Sequence, residues 1–186
     1  CRCHAKHNPA EPQCAETAAS SSPIASPDGS YGCDSPPSLV QSAMRAAAAA
    51  APGTDSYVAA VATGDFTRHG TADLAAPSQL VVDAVGNVTA WFRASLPSVP
   101  FVAAYGHDDL RRNYYFNLSR GCDQPLLRAA APHLAKQLPG LSSTAAATMR
   151  CGGYYRYDIA VGGGTHRNST NEPPNTIRVL SLNTIL

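Results

Sequence analysis

Two short apolar runs in this chain end in the same kind of turn. Ser56–Ala62 leads directly into Thr63-Gly64-Asp65-Phe66-Thr67-Arg68-His69, and Phe101–Ala104 leads into Gly106-His107-Asp108-Asp109. A continuous apolar run of this length, bounded by turn residues, predicts a strand buried on both faces, as in a sheet covered by helices. Helical patterns surround the two runs. Ser35-Pro36-Pro37 suits a helix start; Leu39, Val40, Ala43, Met44 and Ala47 form its apolar face, and Pro52-Gly53 ends it. Val81, Val85, Val88 and Phe92 predict a second helix over about 78–95, weakened at Gly86. Leu126, Leu127, Ala130, Leu134 and Leu138 predict a third over 124–138. Gly152–Val161 and Ile177–Leu182 read as strands, with the second taken as buried; a break at Gly162–Gly164 and a polar loop over Thr165–Asn175 separate them. Helix and strand alternate, so the expected class is α/β and layered.

Composition narrows what such a fold could serve. The 186 residues suffice for one domain with a sizeable core. A net charge of +1 gives no electrostatic basis for binding nucleic acid or an acidic membrane surface. No apolar run approaches the roughly 18–20 residues of a membrane span. Residues 1–37 are rich in Pro, Ser and Cys without periodicity and read as a disulfide-pinned loop segment, leaving 38–186 as the domain proper. The cysteines at 1, 3, 14, 33, 122 and 151 contain no Cys-x-x-Cys pair, a poor zinc-ribbon pattern. With the sequons at Asn87, Asn117 and Asn168 they favour a secreted or lumenal setting.

Strands of an open α/β sheet present functional groups at their carboxyl ends. Here these ends carry Asp65, Arg68 and His69 on one turn and His107, Asp108 and Asp109 on the other. Carboxylates and imidazoles suit divalent cations, and an arginine suits a phosphate. Each turn alone is ordinary surface loop chemistry; the repetition points to a metal or phosphate site. Other residues have plainer readings. Tyr154, Tyr155 and Tyr157 suit sheet packing, and Gly162–Gly164 lacks the Lys-Ser/Thr of a phosphate loop. His4 and His7 with Cys1 and Cys3 could hold a soft metal, but disulfides win in an oxidising setting. No Gly-x-Ser-x-Gly elbow is present, which argues against a serine hydrolase.

Taken in order, four segments resemble the acid sphingomyelinase-like and endopolyphosphatase branch of the calcineurin-type metallophosphoesterases. They are Cys14 to Cys33-Asp34-Ser35-Pro36, then Thr63-Gly64-Asp65-Phe-Thr-Arg68-His69, then Gly106-His107-Asp108-Asp109, and finally Gly152-Gly153-Tyr-Tyr leading to Leu182-Asn183-Thr184. The resemblance implies a helix-flanked sheet sandwich, incomplete in this chain and corresponding to the N-terminal half of a catalytic domain. It implies two divalent metal ions (zinc, manganese or iron) in the complete domain, activating water against a phosphodiester or phosphoanhydride bond of a phosphate-ester or polyphosphate substrate. Asp65 and His107 would bind metal, His69 and Asp108 would be catalytic, and Arg68 would bind substrate. Cys14–Cys33 is the family-like disulfide; Cys122–Cys151 is put forward for the remaining distant pair with no residue pattern behind it, while Cys1 and Cys3 lie too close to pair comfortably.

The sequence also departs from that pattern. The family's Asp-x-His motif and its later histidine ligands do not occur within the chain, and Asp108 stands where the family has a catalytic histidine. A carboxylate beside a phosphate repels it unless protonated or metal-bound. The alternative is therefore a catalytically inactive, glycosylated homologue that binds phosphate-bearing ligands or partners. A third reading is an α/β domain with no site.

Overall fold

The computed structural model describes residues 34–51, 57–68, 77–110, 117–161 and 175–183. The described fold is mixed α/β. Its helices are α1 (Pro37–Ala50), α2 (Pro77–Ser95), α3 (Pro125–Ala135) and α4 (Ser143–Gly152). Its strands are β1 (Ala60–Ala62), β2 (Phe101–Ala103), β3 (Tyr155–Val161) and β4 (Asn175–Ser181). Strands β1 and β2 pair in parallel, with Ala60 opposite Phe101 and Ala62 opposite Ala103. Parallel neighbours need a crossover, and α2 lies in the one between them. Strands β3 and β4 pair antiparallel, from Tyr155 opposite Ser181 to Val161 opposite Asn175.

The two sheets meet through side chains. The Tyr155 hydroxyl donates to the Ala103 carbonyl at 2.8 Å and accepts from the Ala103 N–H at 2.9 Å. Ser181 Oγ donates to the same carbonyl at 3.1 Å. A phenol thus satisfies backbone groups of β2 that a further strand would otherwise take, which a buried strand requires.

Helix positions follow from local chemistry. Pro37 occupies the first turn of α1, where its missing N–H costs nothing. Val81, Val85 and Phe92 of α2 are buried against Leu127, Ala130 and Leu134 of α3 in one continuous core with Phe101, Val102 and Met149. Gly86, weak by helix propensity, faces His133 of α3; a β-carbon there would stand 3.2 Å from the imidazole. Helix α3 carries Pro132 in its interior and ends at Ala135, three residues before the predicted 138, although Leu138 itself is buried. Helix α4 was not anticipated. Ser142 caps it by accepting the Ala145 N–H, and Gly153 ends it with φ of 72°. A disulfide joins Cys122, ahead of α3, to Cys151 in the last turn of α4.

Three strand expectations need correction. Of the run Ser56–Ala62, whose first residue lies outside the described residues, the part from Tyr57 becomes a strand only over its last three residues, and it is not buried on both faces: Val61 is 71% exposed. Among the described residues β1 has a neighbour only in β2. β2, by contrast, is buried along its whole length. The strand expected from Gly152 begins at Tyr155, because Gly152 closes α4. β4 is mostly exposed rather than buried, with Ile177 and Leu180 facing solvent; only its last residue, Ser181, is fully covered. The tyrosines behave as expected of sheet packing at Tyr155 and Tyr157, which are buried, whereas Tyr154 is exposed. No helix among the described residues is long and apolar enough to cross a membrane.

Candidate metal centre

The turns after β1 and β2 lie against each other. Gly64 and Asp65 both adopt left-handed backbone, with φ of 94° and 56°. Asp is among the few residues that tolerate this region, and Gly enters it without cost. The two glycines also permit the close approach. A β-carbon on Gly64 would collide with the Gly106 backbone, and one on Gly106 would collide with Asp65.

Asp109 holds the two turns together. Its carboxyl is fully buried. Oδ1 accepts the Phe66 N–H at 2.7 Å and the Thr67 N–H at 3.2 Å; Oδ2 accepts the Gly106 N–H at 2.9 Å. Burial pushes the Asp109 carboxyl up to about 6, against the pull of these backbone donors. Thr67 adds a second tie, its hydroxyl donating to the Asp108 carbonyl at 2.7 Å. Next to it Tyr105 is buried, and burial followed by the Asp109 charge drives its phenol upward. The Tyr105 hydroxyl has no hydrogen-bond partner among the described residues.

This framework brings three of the expected site residues together. Asp65, His107 and Asp108 each offer a ligand atom, all within 4.8 Å of one another. His107 Nδ1 stands 3.3 Å from Asp65 Oδ1, and His107 Nε2 stands 3.5 Å from Asp108 Oδ2. Asp65 Oδ1 also accepts the Asp108 N–H at 3.1 Å. The group spans a gradient from solvent to interior: Asp65 is 48% exposed at its side chain, His107 26% and Asp108 1%. Two carboxylates and an imidazole form a donor set that suits zinc, manganese or iron(II). Asp108, expected as a catalytic residue, lies among the potential ligands. His69 lies outside the described residues.

Arg68 does not join this group. It lines a groove of about 500 Å³ between the start of α1, the turn after β1 and the flank of α2. Of the sequons, Asn87 is an exposed residue on α2 at the edge of that groove. Its partner Thr89 is buried, its hydroxyl donating to the Val85 and Gly86 carbonyls. Asn117 Oδ1 accepts both the N–H and the hydroxyl of Ser119. Asn168, Cys14 and Cys33 lie outside the described residues. The Cys122–Cys151 pairing is present.

Asp109 is the residue whose part was not foreseen beyond its being an acid of the turn. The signal was a carboxylate three positions after Gly106, spaced to reach back to the opening N–H of its turn, as in a capping box.

No model of a known protein family matches the chain, and no characterised protein matches it.

Proposed function

We propose that this chain carries part of a metal-dependent phosphoesterase centre, acting on phosphodiester or phosphoanhydride bonds. The observation that supports it is the convergence of Asp65, His107 and Asp108 at the carboxyl ends of two adjacent parallel strands. In an α/β fold that is where ligands bind. The layered sandwich of the calcineurin-type phosphoesterases is the wider fold this reading implies. Asp65, His107 and Asp108 would hold one cation; a second would draw on donors beyond this group. Bound metal would supply Lewis-acid stabilisation of a phosphoryl oxygen and a more acidic water. The chain's own part is to hold Asp65 in a left-handed turn beside His107 and to keep Asp108 dry.

The second reading is a homologue that binds phosphate-bearing ligands without turning them over. What favours it is Asp108, which stands where the resemblance implies a catalytic histidine and lies 3.5 Å from His107 instead. Calorimetric titration with Zn²⁺ and Mn²⁺, followed by bis(4-nitrophenyl) phosphate turnover, separates the readings. The enzyme reading expects metal binding and turnover, both lost in Asp65→Asn. Binding without turnover favours the second reading. Unchanged turnover in Asp65→Asn, or no metal binding by the wild-type chain, overturns the metal assignment.

A further inference from the structure

The groove beside the candidate metal centre differs from it in chemistry. Its wall is largely apolar: Val40 from α1, Phe66 from the turn after β1, and Leu80, Val88 and Trp91 from α2. A volume of about 500 Å³ is within the range of small-molecule sites. Leu80 is 41% exposed, an uncovered apolar side chain in a wall that already contains an indole and a phenyl ring.

The groove and the metal group share a wall. Phe66, Thr67 and Arg68 follow Asp65 without interruption and line the groove. Three residues of extended chain span at most roughly 11 Å. Thr67 is the contact between the two regions, since it lines the groove while its hydroxyl holds the Asp108 carbonyl. The groove lining carries one charge of each sign. Arg68 and Asp34 both line the groove, Asp34 in the stretch leading into α1. An anion therefore fits beside Arg68 and is disfavoured beside Asp34.

We infer that the groove receives the organic group of a phosphate ester and that this group is apolar and flat, an aryl or fused-ring moiety. The phosphoryl group would sit between the metal ligands and Arg68 while the ring lies along Trp91. This rests on the proposed metal-dependent reading and narrows its substrate class. It sets apart an aryl phosphate ester from inorganic polyphosphate, which has no apolar portion to bury.

Trp91 is the chain's single tryptophan, so its emission reports on the groove alone. The test titrates the full chain, loaded with stoichiometric Zn²⁺, with phenylphosphonate and with methylphosphonate. Neither can be hydrolysed at phosphorus–carbon by phosphoester chemistry, and both present the same anion. Phenylphosphonate should bind roughly tenfold more tightly, from burial of the ring, and should change Trp91 emission, whereas methylphosphonate should leave emission unchanged. Leu80→Glu, which places a carboxylate in the apolar wall, should bring the two affinities together. Naphthylphosphonate keeps the test open on the wild-type chain if that variant fails to fold, and should bind more tightly still. Equal affinities across the series, or an unresponsive Trp91 at saturation, would overturn the inference. Zn²⁺ titration in parallel identifies the other failure: if the metal does not bind, the phosphoesterase reading falls first.

Discussion

The β1–β2 pair and the β3–β4 pair divide the work of this molecule differently. The first is parallel and only three residues long on each strand, and its importance lies in the turns that follow. The second is antiparallel and seven residues long on each strand. Its charged groups, Arg156, Asp158 and Arg178, form exposed ion pairs of ordinary surface type. In the turns after the short pair, the buried Asp109 carboxyl is tied to backbone N–H groups; on the long pair the charged groups are tied to each other, while the buried hydroxyls of Tyr155 and Ser181 reach the backbone of β2. The long pair secures β2 through Tyr155 and Ser181.

The largest effect expected from this difference is at Gly64. Gly64→Ala combines a left-handed backbone with a collision against Gly106, and should cost about 3 kcal/mol or more while removing Zn²⁺ binding. Gly140 also has positive φ, but nothing lies within 4 Å of the added carbon, so Gly140→Ala should cost only about 1 kcal/mol. Urea midpoints for the two variants measure the contrast; equal midpoints would break it.

Asp109→Asn turns an amide N–H₂ toward either the Gly106 N–H or the Phe66 and Thr67 N–H groups. It should cost about 1–3 kcal/mol and weaken Zn²⁺ binding, because it loosens the two turns that carry the ligands. Calorimetry checks the second part, and undiminished metal affinity would mean that Asp109 serves stability alone.

Two tyrosines sharpen the comparison further. Tyr155→Phe leaves the N–H and one acceptor site of Ala103 unmet in the interior, at about 1–2 kcal/mol. Tyr105→Phe removes a buried hydroxyl without a partner among the described residues and should be neutral or slightly stabilising. Thermal melts of the two variants should move by different amounts or in opposite directions.

The smallest effect belongs to the exposed pair. Arg178 holds the Asp158 carboxyl below its ordinary range, chiefly by direct hydrogen bonding. A lowered folded value means that this contribution is present above the unfolded value near pH 4 and is lost as pH falls through the folded one. Arg178→Ala should change the acid limb of the pH–stability curve slightly and leave the neutral region almost unchanged. A large change at neutral pH would show that the long hairpin depends on its surface charges.

How much of this was legible in the sequence depended on how local the cause was. α2 and the Gly64–Asp65 turn follow from neighbouring residues, and both lie close to where periodicity and turn chemistry put them. α4 escaped notice because its Ala-rich and Thr-rich stretch buries only Ala145 and Met149, too few for a stripe. Its true markers were terminal: the Ser142 cap and the Gly153 ending. Val61 and β4 misled because apolar composition records what a residue favours and not what covers it. The grouping of Asp65 with His107 and Asp108 was inferred from repetition of a turn. The role of Asp109 was not, since its partners Phe66 and Thr67 lie 43 and 42 positions away along the chain.

One detail of α2 links this architecture to time. Asn87 is open to solvent, but Thr89, the third residue of its acceptor triplet, has its hydroxyl turned into the helix and shared between two carbonyls. Acceptor triplets are used in accessible, extended loop-like chain. Once α2 has wound, the threonine hydroxyl is withdrawn, which would hinder modification of the triplet. In a cell that attaches glycans during synthesis, the fraction of molecules carrying sugar at Asn87 would count how often glycan attachment outran the helix. A sugar there would stand at the mouth of the groove. The folding rate of a single helix would then set what share of the molecules keeps that groove clear.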